Sequence, residues 1–325
     1  VVEVQARRLG SPLDSLVRVF DAAGHVAAIN DDHDDKQATL LTHQADSWLS
    51  VKLPKAGVYT VLVSDAQAHG GEEYVYRLCL RAPHPDFALQ IAPSSLKLDA
   101  GRTQVLEVHV LRLDGFSGPV ELALGGMTGG FVLNGGHVGA GQDVVHATVT
   151  APPEPPNGAV ALQVVGKAQI GGATVTRTAA AADEMMQAFA YWHLVPAQEF
   201  AVVVGPAPRW PPRLDIVSDG APLRLSPGGT AQVRVKTPPV PTLIKSLRLE
   251  LKTAPEGVTV KEQNALPTGL ALTVQADPAK VKPGSADNMI VEVFIEAEVK
   301  RGNGQTVTVR NSVGVLPAVP VEVVP

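Results

Sequence analysis

The sequence predicts an all-β protein built of tandem antiparallel β-sandwiches, and three observations predict it. Glycine (30 residues) and proline (27 residues) are frequent without any collagen-like period. Short stretches rich in Val, Leu and Thr alternate apolar with polar residues between turn-forming Gly, Pro and Asp, which is the pattern of half-buried strands. The pattern of residues 87–204 then returns over 208–325. Its period of roughly 120 residues is the size of a sandwich domain and not of a solenoid repeat.

Residues 1–82 read as a first sandwich. VVEVQARR opens as a strand, and SLVRVFD and HVAAIND flank Ala22-Ala23-Gly24 as a hairpin. After an acidic loop come SWLSVKL, the turn PKAG, VYTVLVSD, the loop AQAHGGEE and YVYRLCLR. The alternation of that last segment places Cys79 on a strand as a buried structural thiol. As the single cysteine, it rules out an intramolecular disulfide framework. The linker APHPDF follows, stiffened by its two prolines.

The two later sandwiches, 87–204 and 208–325, match piece by piece. LKLDAGRTQVLEVHV (96–110) corresponds to LRLSPGGTAQVRVKT (223–237), and PVELALGGMTGGFVL (119–133) to SLRLELKTAPEGVTV (246–260). VPAQEFAVVV and LPAVPVEVVP close the two copies alike. AEVKRGNGQTVTV reads as a hairpin turning at Asn303-Gly304. The first copy alone carries AAAADEMMQAFAYWHL (179–194). Its alanines, with Asp183 as cap and Met186, Phe189 and His193 at helical spacing, predict one short helical insert near 183–193 that buries its Met and aromatic side chains. Trp48 is expected in a core, Trp192 beneath the insert, and Trp210 as a wedge in the Pro-rich segment between the two copies.

Composition excludes several roles. A formal net charge of −5 leaves no basic footprint for nucleic acid. No apolar run approaches the roughly 18 residues that span a bilayer. There is no H-E-x-x-H, no G-x-S-x-G and no Gly-rich phosphate loop, and nine histidines are scattered along the chain. The expectation is a protein that is not an enzyme.

Residues 2–82 resemble the bacterial pre-peptidase C-terminal domain. The resemblance rests on RRLGSPLDSLVRVFDAAGHVAAINDD followed by ADSWLSVKLPKAGVYTVLVSD. These give an acidic turn with Asn-Asp-Asp, then Asp-Ser, then Gly-x-Tyr-x-Val, in that family's order. That family is a small jelly-roll-like sandwich on exported proteins, similar to calcium-binding collagen-binding domains. Its opening Gly-rich, Asp-x-Tyr-x-Phe strand has no counterpart here, so the first sandwich reads as incomplete at its start. FALQIAPSSLKLDAGRTQVLEVHVLRLDGFSGPVELAL resembles the opening of bacterial immunoglobulin-like domains of exported planctomycete-type proteins. Together the resemblances imply a secreted, periplasmic or cell-surface location and further domains in the full-length protein.

The acidic stretch NDDHDDKQATLLTHQADSW (30–48) is the candidate site. Calcium takes six to eight oxygens from Asp, Asn and main-chain carbonyls. Asn30, Asp31, Asp32 and Asp46 are the residues expected to hold Ca2+, with Asp34 and Asp35 close by and Ser47 in the matching family motif. The other reading is a solvated loop whose Asp and Asn side chains bond their own backbone. Function therefore divides between a non-catalytic accessory, adhesive or spacer segment and a module binding extracellular polysaccharide or protein through a calcium-stabilised loop, with a hydrolase whose site is dispersed along the chain as the remoter alternative. The three tryptophans form no aromatic strip that would stack sugars.

Overall fold

Alternating apolar residues bury one face of each strand, and the strands of this chain pair into sheets that share cores. A computed structural model describes residues 1–33, 45–186, 192–217, 220–300 and 306–325. They fall into two compact units. One comprises Val1–Ala88, Leu111–Phe116 and Asp183–Pro196, the other Leu89–Val110, Ser117–Ala182 and Ala197–Pro325.

In the first unit, strand Val2–Gln5 lies between Trp48–Leu49 and Arg77–Leu80, all antiparallel. Strand Ser15–Phe20 lies between Val26–Asn30 and Thr60–Asp65 in a second sheet. Every second residue of Val2–Gln5 and Ser15–Phe20 points inward. Val2, Val4, Val17, Val19 and Leu49 therefore meet in one core drawn from both sheets. The predicted hairpin around Ala22-Ala23-Gly24 forms. The predicted strand SWLSVKL contracts to Trp48–Leu49. Since neighbours on a strand face opposite ways, Leu49 enters the core while Trp48 is half-buried. Cys79 is likewise only partly buried.

The second unit contains the repeat, and the sequence match is a match of strand order. In one copy the opening strand Ser95–Asp99 pairs parallel with the closing strand Phe200–Gly205. In the other, Leu223–Leu225 pairs parallel with Val319–Val323. The long strand Ala159–Ile170 pairs antiparallel with Val120–Gly125, Ala173–Thr178 and the closing strand. Its counterpart Ala286–Lys300 does the same with Leu247–Thr253, Thr306–Val315 and the closing strand. Opposite these, Thr103–Leu113 pairs with Val144–Thr150, and Thr230–Lys236 with Gly269–Ala276. The core of the later copy takes residues from both of its sheets, among them Leu225, Val235, Leu249, Leu272, Val291 and Val321. The turn expected at Asn303-Gly304 lies outside the described residues, but the strands flanking it pair.

The predicted helical insert is a correction. Ala180–Met186 is a strand, with Ala180 and Ala181 paired parallel to Gln90 and Ile91, and Trp192–Pro196 is a strand as well. Residues 187–191 and the Trp192 side chain lie outside the described set. Alanine is the best intrinsic helix former, but propensity is a small term, and a sheet edge that buries Ala181 and Ala182 outweighs it. Met185 and Met186, one of which is expected to be buried, are both exposed. Among the described residues the one α-helix is Pro241–Ser246, which starts on a proline and buries Leu243 and Ile244. At six residues it is too short to show a period in the sequence.

Trp210 is also a correction: it is 59% exposed and so is not buried as a wedge. The Pro-rich segment is held instead by the Arg102 guanidinium, which donates to the carbonyls of Pro211 and Pro212. Inside the same unit, buried Asn288 donates to the carbonyls of Gly135 (2.7 Å) and His146 (3.0 Å), and the Ala318 N–H donates to Thr148 Oγ1 (2.8 Å). These bonds join the two copies of the repeat.

Candidate functional site

The acidic stretch begins at the end of strand Val26–Asn30 and returns at Trp48–Leu49. Asp46 and Ser47 are fully buried. Oδ1 of Asp46 accepts from the backbone N–H groups of Ala6 (3.1 Å) and Arg7 (2.7 Å). Its Oδ2 accepts from Arg8 Nε (2.8 Å) and, at 3.4 Å, from the Arg8 N–H. A helical turn leaves its first N–H groups without partners, and here the carboxylate supplies them at the start of the 3₁₀ turn Arg7–Leu9.

Ser47 is tied to Ser15. Its N–H donates to Ser15 Oγ (2.7 Å), its hydroxyl donates to the Ser15 carbonyl (2.5 Å), and the two hydroxyl oxygens are 2.8 Å apart. Asn30 Oδ1 accepts from the Trp48 N–H (2.9 Å), which closes the two ends of the stretch. Asp31 and Asp32 are exposed, and the His33 ring lies 5.7 Å from that of Trp48. Asp34 and Asp35 lie outside the described residues. Of the four expected calcium ligands, then, Asp46 spends both oxygens on N–H donors and Asn30 spends its oxygen on Trp48.

Two other loops of the first unit use aspartate in a related way. Asp21 Oδ1 accepts from the N–H groups of Ala23 and His25, and Asp65 Oδ2 from those of Gln67 and His69. The two loops share the spacing Asp-Ala-x-x-His, a signal open to sequence reasoning that reads as an Asx-type loop once the donors are seen. Backbone hydrogen bonds, His25 first for Asp21 and Asp14 first for Asp65, hold both carboxyls below the usual range.

Sequence reasoning treats the histidines as scattered, yet one group assembles in the second unit. Glu107 and His109 are two apart on strand Thr103–Leu113 and so share a face, and His146 is the direct cross-strand partner of Glu107. His109 Nε2 lies 2.9 Å from Glu107 Oε1, close but poorly aligned for a hydrogen bond, and His146 Nε2 lies 3.3 Å from Oε2. The approach of His109, then that of His146, keeps the Glu107 carboxyl well below the carboxylate range, and Glu107 in turn raises His146. Each imidazole meets a different oxygen of Glu107. Among the described residues no group of three or more His, Cys, Asp or Glu side chains is set to hold a metal ion.

No family model and no curated protein matches the chain.

The same unit contains a cleft of about 580 Å³, lined by Pro119, His137, Gln142, Glu256, Lys280 and Asp287 among others. Its described lining includes no Trp, Tyr or Phe on which a sugar ring could stack. No helix among the described residues is long and apolar enough to cross a membrane.

Proposed function

We propose that the chain is a non-catalytic accessory, adhesive or spacer segment of a larger exported bacterial protein, acting in a secreted, periplasmic or cell-surface setting. The observation that carries this reading is the use made of buried polar groups. Asp46, Ser47 and Asn288, all buried, spend their side chains on backbone groups and, for Asp46 and Ser47, on Arg8 and Ser15 as well, leaving no aligned nucleophile and base among them. The repeated strand order, each opening strand parallel to its closing strand, supports the immunoglobulin-like reading of residues 87–204 and 208–325. The test is incubation of the purified protein with panels of peptide, ester and glycoside substrates. No turnover above buffer is expected. Turnover that scales with protein and disappears on one side-chain replacement overturns the proposal.

A second reading, a polysaccharide- or protein-binding module stabilised by calcium, is favoured by the exposed Asp31 and Asp32 beside Asn30. With Asp46 committed to N–H donors, the loop's remaining oxygens would have to supply the shell. Calcium at a hundredfold excess over its dissociation constant would add about 2.7 kcal/mol to folding stability. A melting midpoint that is the same in millimolar Ca2+ and in chelator removes this reading.

A further inference from the structure

The turn between strands Ser95–Asp99 and Thr103–Leu113 carries Gly101, whose φ is +72°, and Arg102. Thr103 pairs with Val315, so this turn of the earlier repeat copy meets the end of strand Thr306–Val315 in the later one. At that meeting Gly101, Arg102, Thr103, Arg213, Val313 and Gly314 line a pocket of about 30 Å³. The rest of its described lining is aliphatic, and none of it is a carboxylate.

Two guanidinium groups converge here. Arg102 donates to the carbonyls of Pro211 and Pro212, which fixes its position. Arg213 donates through Nε to Asp215 Oδ1 (2.7 Å), which leaves its two terminal nitrogens for another acceptor. One of these, Nη1, lies 3.7 Å from where a methyl carbon on Gly101 would stand, so Arg213 reaches over the turn that carries Arg102. On the later copy's side, Gly314 faces Val293 and Ser312 faces Phe294, and Val313 between them has no partner in the ladder. Such a bulge leaves backbone groups unpaired, and Val313 is part of the pocket wall.

These groups are short of negative charge. Burial holds Arg102 below the usual arginine range; Asp99 opposes that effect and Arg213 adds to it. A volume of about 30 Å³ is one water molecule's share of the liquid, which is too little for a sugar phosphate or a nucleotide. Guanidinium is weakly hydrated and presents several fixed donors, so it suits an anion that sheds its own water readily. We propose that the pocket binds a single small inorganic anion of halide size, chloride or a close analogue, between the guanidinium groups of Arg102 and Arg213. The ion neutralises both cations where the two repeat copies meet.

Two measurements on the full chain test this. Crystals soaked in bromide should show an anomalous peak in the pocket. In solution the protein should broaden the chloride NMR resonance, and that broadening should fall severalfold in Arg213→Gln. Asp215→Asn removes the partner of Arg213 but keeps its guanidinium, so the broadening should persist. It should persist as well in Lys97→Gln, which removes a positive charge from an exposed position of strand Ser95–Asp99 outside the pocket. A pocket without bromide overturns the proposal. Bromide in the pocket with chloride broadening unchanged in Arg213→Gln means an adventitious ion only, and overturns it equally. Broadening lost as fully in Asp215→Asn as in Arg213→Gln would trace the effect to the ion pair's structure and sink the site too.

Discussion

A fully buried carboxylate survives in a protein only when donors replace its lost water, and Asp46 has them in three backbone N–H groups and the Arg8 guanidinium. Arg8 also meets Glu3 at 3.0 Å, so one charged side chain ties strand Val2–Gln5 to the returning end of the acidic stretch. Removing the carboxylate takes the acceptor from the buried Ala6 and Arg7 N–H groups and from Arg8 Nε, while Glu3 and the Val4 carbonyl still hold the rest of the guanidinium. Asp46→Ala should therefore destabilise the first unit by about 3–5 kcal/mol, the range for breaking a buried pair from one side. Urea unfolding followed by tryptophan fluorescence measures this, in a background where Trp192 and Trp210 are replaced by Phe so that Trp48 alone reports. A loss under 1 kcal/mol would mean that water replaces the carboxylate, and the structural account of Asp46 would fail. Aspartate composition alone could not separate this residue from Asp31 and Asp32, which differ from it only in burial.

Among the elements, Ala180–Met186 departs furthest from its local signal. Four consecutive alanines and a following acidic residue favour a helix in isolation. The preceding hairpin, Ala159–Ile170 with Ala173–Thr178, instead delivers the chain to the edge of strand Asp86–Ala92. There the small side chains of Ala181 and Ala182 fit where larger ones would not. Ala182→Leu should cost about 1–3 kcal/mol through overpacking. The same substitution on an exposed helix face would be close to neutral, so a melting temperature unchanged within error would argue against the strand. The short helix Pro241–Ser246 shows the converse, with no periodic signal but a proline start and two buried aliphatic residues.

For the molecule as a whole, the consequential fact is that the later copy and most of the earlier one, Leu89–Val110, Ser117–Ala182 and Ala197–Pro325, fall in one compact unit. Asn288 satisfies two carbonyls of the other copy, and Thr103 pairs with Val315. Such bonds couple the stabilities of the copies. Asn288→Ala leaves buried carbonyls unpaired at about 1–3 kcal/mol. In calorimetry it should separate a shared unfolding transition into two. A single transition merely shifted to lower temperature would place the coupling elsewhere in the junction. The alternation of apolar residues, the turn chemistry and the repeat were legible in the sequence because each is local or is a comparison of one stretch with another.

What the sequence determined by itself is thus the all-β class, the hairpin at Ala22–Gly24 and the correspondence between the two copies, down to their matching closing segments. What only the tertiary structure decided is which polar residues are consumed by the fold. Asp46 fills with donors from residues 6 to 8, His146 meets Glu107 across a strand pair, and Asn288 reaches residues more than a hundred positions away. The physical reason is the same in each case. Strand propensity and turn geometry act over a few residues, whereas the cost of burying a polar group is settled by whichever distant donor or acceptor folding brings beside it.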